Sequence, residues 1–193
     1  MRKYLLLVLI IPFVFLAMPV ILPAEEPHIT LRSTYTNLTV SQAQSMSNKS
    51  ISKSQERGFY SHSTIEHNYN VKYIIGDKVV LDYATGLMRH PHGSKEYMNW
   101  HAVNGWIDSF NSRGYAGYHD WRLPTVEEAA SLLEPSKKNG LYIAPVFSNR
   151  IEYIWTGDNY DSGGEWRIAL QYGFVGWVTI DNELYVRPVR TIK

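Results

Sequence analysis

The 193-residue chain carries 19 Lys and Arg against 18 Asp and Glu, so its charge gives no footing for a nucleic-acid binder or an acidic solvating protein. It has no cysteine, which excludes a disulfide framework, a thiolate zinc site, a cysteine nucleophile and a lipidated cysteine. Aromatic residues make up 13% of it, including 14 Tyr and 6 Trp, a composition suited to sheets and to contact surfaces that are part wet and part apolar.

Arg2 and Lys3 precede an uncharged apolar stretch from Tyr4 to Ala24, the pattern of an export signal. Residues 1–24 therefore read as a signal peptide or a membrane anchor. Leu22-Pro23-Ala24 is a partial cleavage site, and Pro12, Pro19 and Pro23 argue against a straight spanning helix. The expected location is outside the cytoplasm: periplasmic, secreted, or held to the membrane by this segment alone. Residues 25–70 are rich in Ser, Thr, Gln and Asn, with Lys49, Lys53 and Arg57 interleaved, and bury too little apolar surface to offset ordering entropy. They read as a disordered tether, with a strand possible between Ile29 and Val40.

The folded domain is expected over 71–193. Val71, Tyr73 and Ile75 alternate before Gly76-Asp77, and Val79 to Leu81 follow, which predicts a hairpin. Trp100, Val103, Trp106, Ile107 and Phe110 recur at helical spacing, with Asn99 to cap the start and Gly114 to end it. A second helix starts at Thr125, where Thr125 and Glu128 have capping-box spacing, and Pro135 is expected to stop it. After Gly140 come short strands at Tyr153–Thr156, Trp166–Leu170, Trp177–Ile180 and Leu184–Val189, the last at an edge because of Pro188. Two helices followed by strands predict an α+β class.

The order of these pieces resembles the Legionella collagen-like protein C-terminal domain family. The carrying residues are Asp82 to Met88, Trp100 and Ala102, Gly114 to Thr125 with Glu128, Tyr153 to Thr156 and Val186 to Arg190, within about Val71 to Arg190. Asp120-Trp121-Arg122-Leu123-Pro124-Thr125 is the most specific run. The resemblance implies a compact mixed domain similar to the C-type lectin-like fold, with two helices packed on short antiparallel strands. It also implies an exported adhesin-type role binding sulfated polysaccharide. Two departures are Arg89, where the family commonly has Trp, and the lack of an upstream collagen-like repeat, which removes the simplest reason to infer a collagen-driven trimer.

Asp120, Trp121 and Arg122 place a carboxylate, an indole and a guanidinium before a helix, where an anion would suit. The stronger reading is architectural, with Arg122 locking carbonyls or a carboxylate under the helix start and Trp121 in the core. Arg167, Arg187 and Arg190 would form a basic strip only if a twist aligned them, and ordinary salt bridges to Glu165 or Glu183 are the stronger reading. Trp155, Tyr160, Trp166, Tyr172 and Trp177 suggest an aromatic platform for sugar rings, with Tyr160 and Trp177 the more exposed. The ligand-binding set is thus Tyr160, Arg167, Trp177, Arg187 and Arg190. Asp158, Asn159, Asp161 and Glu165 flank two glycines and form a weak calcium candidate, set against an ordinary hairpin connection. His90-Pro91-His92 lacks a third metal ligand, and His119-Asp120 has no nucleophile elbow beside it. The reading favoured is a non-catalytic module binding a polysaccharide or another cell-surface polymer, without cofactor or nucleic acid. Its rivals are an envelope enzyme working through His119 or the Asp158 loop, and a structural or assembly subunit.

Overall fold

The computed structural model describes residues 29–160 and 163–192, and the expected signal or anchor segment lies outside them. Among the described residues no helix is long and apolar enough to cross a membrane.

Residues 29–70 of the segment expected to be a tether are ordered. After the short strand β1 (Asn37–Leu38), Thr39 caps the helix α1 (Val40–Ser45) through a full capping box with Gln42. Strands β2 (Lys49–Gln55) and β3 (Gly58–Ser63) pair antiparallel. Composition misled here because few apolar side chains do the anchoring: Leu38, Ala43 and Phe59 are buried in the main core while the polar residues of β2 face solvent. The predicted hairpin is β4 (Tyr69–Ile74) and β5 (Asp77–Asp82), turning at Ile75 and Gly76, both at positive φ. Strand β6 (Leu87–Arg89) follows.

The helix α2 (Trp100–Ser112) is capped by Asn99, and Gly114 takes the left-handed conformation just past its end. The helix α3 (Val126–Ala130) begins at Thr125 as expected but runs little more than one turn, so it ends before Pro135 can stop it. Strands β7 (Tyr153–Tyr160), β8 (Gly164–Ala169) and β9 (Phe174–Thr179) form an antiparallel meander. The run from Leu184 makes isolated bridges to Met98 and Ile154, and only Val189–Thr191 forms a strand, β10, at the edge of its sheet.

Among the described residues ten strands in two sheets make the fold mostly β, which overturns the expected α+β, lectin-like domain of two helices packed on short antiparallel strands. One sheet has the order β1-β7-β8-β9-β3-β2 and the other β10-β6-β5-β4. In the first, β3 pairs with β9 and β1 pairs parallel with β7, so the N-terminal strands complete a sheet built from the C-terminal ones. Phe59, Ile154, Trp166, Ile168 and Val175 line the inner face of this sheet and meet Val126, Ala129, Leu132 and Leu133 from α3 and the turn after it.

An extended arm at residues 29–38 straps across α3. Arg32 donates to both oxygens of the buried Asp158 at 2.7 and 2.8 Å, and its backbone N–H donates to Glu127. Tyr35 donates its hydroxyl to the Leu123 carbonyl. Its ring lies over Gly157, where any Cβ would come within 2.2 Å of it. Glycine is therefore required there by close approach.

Candidate ligand-binding groove

The Asp-Trp-Arg-Leu-Pro-Thr run is a structural junction. Trp121 is buried, donates its indole N–H to the Tyr115 carbonyl at 3.0 Å, and exchanges two backbone hydrogen bonds with the Asn111 side chain. Arg122 grips both Glu128 oxygens at 2.6 and 2.7 Å and exchanges ladder bonds with Val189. Pro124 accepts from Gly157 N–H, and Thr125 caps α3 while donating to the Arg32 carbonyl. Asp158 and Glu128 accept the backbone N–H groups of Val126 and Thr125. The helix start, where an external anion would suit, is thus filled by the chain's own carboxylates.

The three arginines that a twist would have had to align into a strip are separated. Arg187 is buried and donates to the carbonyls of Pro91 and Ser148, with its guanidinium 5.4 Å from the Phe147 ring centre. Burial and neighbouring Arg89 push its pKa down to about 9. Arg190 grips Asp120 at 2.6 and 3.1 Å and lies 3.7 Å from the centre of the Tyr118 ring. Neither takes Glu165 or Glu183 as its partner. Arg167 alone stands on the outer face of the six-stranded sheet, with its guanidinium 5.3 Å from the Tyr153 ring and 5.7 Å from Phe174. One of its amino groups is buried with no hydrogen-bond partner among the described residues, and burial lowers its pKa.

The aromatic platform divides. Trp155 and Trp166 belong to the core. Tyr160 and Trp177, expected to be exposed, are half-buried because they stack on each other at 4.2 Å and 5°, with Arg57 capping the indole at 5.0 Å. Tyr172 is the exposed member, at 53%.

Three of the four calcium candidates are described. Asp158 is spent on Arg32 and α3, Asn159 and Glu165 face each other across β7 and β8, and Asp161 lies outside the described residues. Among the described residues no cluster of three or more His, Cys, Asp or Glu is placed to hold a metal. His90 accepts from Gly93 N–H, and burial beside Arg187 and His92 lowers its pKa to about 3, so it is a neutral core residue. His119 bonds the Asn111 carbonyl at the end of α2.

Glu165 has an oxygen that is buried without a partner among the described residues, and burial raises its pKa from 4.5 to about 7. In the unfolded chain it loses its proton earlier, so its contribution to stability is full below pH 4.5 and is lost as pH rises through 7. Glu165→Gln is therefore expected to flatten the pH dependence of stability. Thermal melts at about pH 5 and about pH 8 check this, with the wild type falling further than the variant between them.

An open groove of about 540 Å³ lies where β2 and β3 meet the turn after β8 and the loop after α3. Tyr60, Tyr142 and Tyr172 line it together with Lys53, His62 and Glu134. It adjoins the Arg167 patch, because the Tyr60 ring meets Phe174 at 5.0 Å and the Tyr172 ring meets Tyr153 at 6.3 Å. Lys53, Tyr60 and His62 escaped the sequence reading because they fall in the stretch taken as a tether. The alternation Phe59-Tyr60-Ser61-His62 after Glu56-Arg57-Gly58 is the strand-and-turn signal that marks them.

Residues 78–190 match the sequence model of the family described as Lcl C-terminal domain. No curated protein matches the chain.

Proposed function

The chain belongs to the Lcl C-terminal domain family, and from that premise we propose that it is an exported, non-catalytic binding module whose ligand is a glycan. The observation that carries this reading is the open groove lined by three tyrosines with Lys53, His62 and Glu134. Tyrosine rings offer flat apolar faces for sugar rings and hydroxyls for sugar oxygens at small entropic cost. The Lys53 ammonium in the lining suits carboxylate or sulfate substituents on a polysaccharide. The groove's open shape favours one stretch of polymer over an enclosed small substrate. His119 and Asp158, the residues on which an enzyme reading leaned, are both engaged in holding loops and helix ends.

Binding of the purified protein to sulfated, carboxylated and neutral glycans at two salt concentrations tests this. Tyr60→Ala and Tyr172→Ala are each expected to weaken affinity about tenfold, or ~1.4 kcal/mol. Lys53→Ala is expected to reduce the salt dependence. Arg190→Ala, away from the groove, is expected to lower stability and leave the affinity of the folded fraction unchanged. Binding that survives all three groove changes, or no binding to any glycan, would overturn the assignment.

A further inference from the structure

The two sheets present four edges, and three of them are blunted against further pairing. β1 and β10 are two and three residues long. β2 shows solvent a polar row with Lys49 and Lys53, and its register shifts between Ile51 and Lys53. Short length, lysines and bulges are the usual protections of a sheet edge. The edge at β4 has a regular six-residue register and exposed apolar side chains: Val71 at 40%, Tyr73 at 72% and, in the turn, Ile75 at 82%.

The hairpin geometry fixes which backbone groups are free. Ile74 opposes Asp77 across the two-residue turn, so Ile74, Lys72 and Asn70 bond to β5 in alternation. Tyr69, Val71 and Tyr73 therefore aim their N–H and C=O groups outward, and these have no partner among the described residues. An added strand must bond to those three residues.

The geometry points to a second copy of this chain as that strand, joined antiparallel about a two-fold axis through Val71. In this register Val71 meets Val71 of the second copy and Tyr73 meets its Tyr69, so all outward groups of the strand are bonded and the apolar side chains share one face. Lys72 falls opposite Asn70. Sliding the register one way sets Lys72 against Lys72 at the closer, non-bonded spacing, which like charges disfavour. Sliding it further that way demands Ile75, whose φ of 51° is not extended. Sliding it the other way calls on His67, which is held by Asp82 and Ser131. One register therefore satisfies backbone, apolar stripe and charge together, and the interface it forms is isologous.

The absence of cysteine allows a direct test on the full chain. Paired residues that exchange hydrogen bonds lie about 5.5 Å apart at Cα, within the range a disulfide spans. Under mild oxidation Val71→Cys is expected to yield a covalent dimer several-fold faster than Lys72→Cys. Val71→Pro removes an outward N–H and no bond to β5, so it is expected to keep the fold and to remain monomeric as concentration rises in sedimentation analysis, where the wild type shifts toward dimer. Equal cross-linking of the two variants, a Val71→Cys chain whose thiol stays reduced, or a wild type that sediments as a monomer throughout would overturn the proposal.

Discussion

A chain beginning at Val71 is expected not to fold, although it keeps every residue of the family match. Its loss removes Arg32 from Asp158, a carboxylate with no exposed surface, and stranding a buried charge in this way costs about 3–5 kcal/mol. It removes Phe59 from the core, a further ~3–5 kcal/mol. It also takes β3 away from β9, leaving backbone groups around Val175 bare inside the sheet. These losses together rival the whole stability of a typical domain, about 5–15 kcal/mol. Urea titration followed by tryptophan fluorescence checks the expectation: a chain from Glu25 should unfold cooperatively and one from Val71 should show no transition. A cooperative transition in the shorter chain would mean that the arm and first strands are accessories to a core that closes without them.

The second large effect is expected at Glu128. This buried carboxylate receives two N–H groups from Arg122 and one from the Thr125 backbone, so it joins the junction loop to the start of α3. Glu128→Ala leaves Arg122 without its partner and half of the capping box empty. The expected loss is about 3–5 kcal/mol, against about 1–2 kcal/mol for Thr125→Ala, which removes a cap and the hydrogen bond to the Arg32 carbonyl and leaves the ion pair. Denaturant melts of the two variants separate these values. A Glu128 variant that costs no more than the Thr125 one would mean that the ion pair contributes little beyond the cap.

Local signals in the sequence located the central elements well, and failed where pairing partners are distant. The α2 spacing, the Thr125 cap, the turn at Gly76 and the strands at Tyr153, Trp166 and Trp177 are each specified by neighbours within a few residues, and each is present. The polar stretch was misread because its strands acquire their core side only by joining β9, which no short window contains. The same limit hid the groove, assembled from Lys53, Tyr60 and His62 of that stretch and Glu134, Tyr142 and Tyr172 from far along the chain. The arginines were misplaced for another reason. Alternation tells which side of a strand a residue takes, while Arg187 lies outside any regular strand and its partners are loop carbonyls.

The order of strands in the larger sheet also bears on when the chain becomes compact. β3 emerges early and bonds to β9, which lies most of the chain later, and β1 waits in the same way for β7. Closing such distant pairs demands loop entropy before any contact repays it, which places the fold among slowly formed, high-contact-order topologies. Until β9 is made, the early strands have only local pairings. A newly made chain therefore keeps its larger sheet open until nearly all of it has been synthesised.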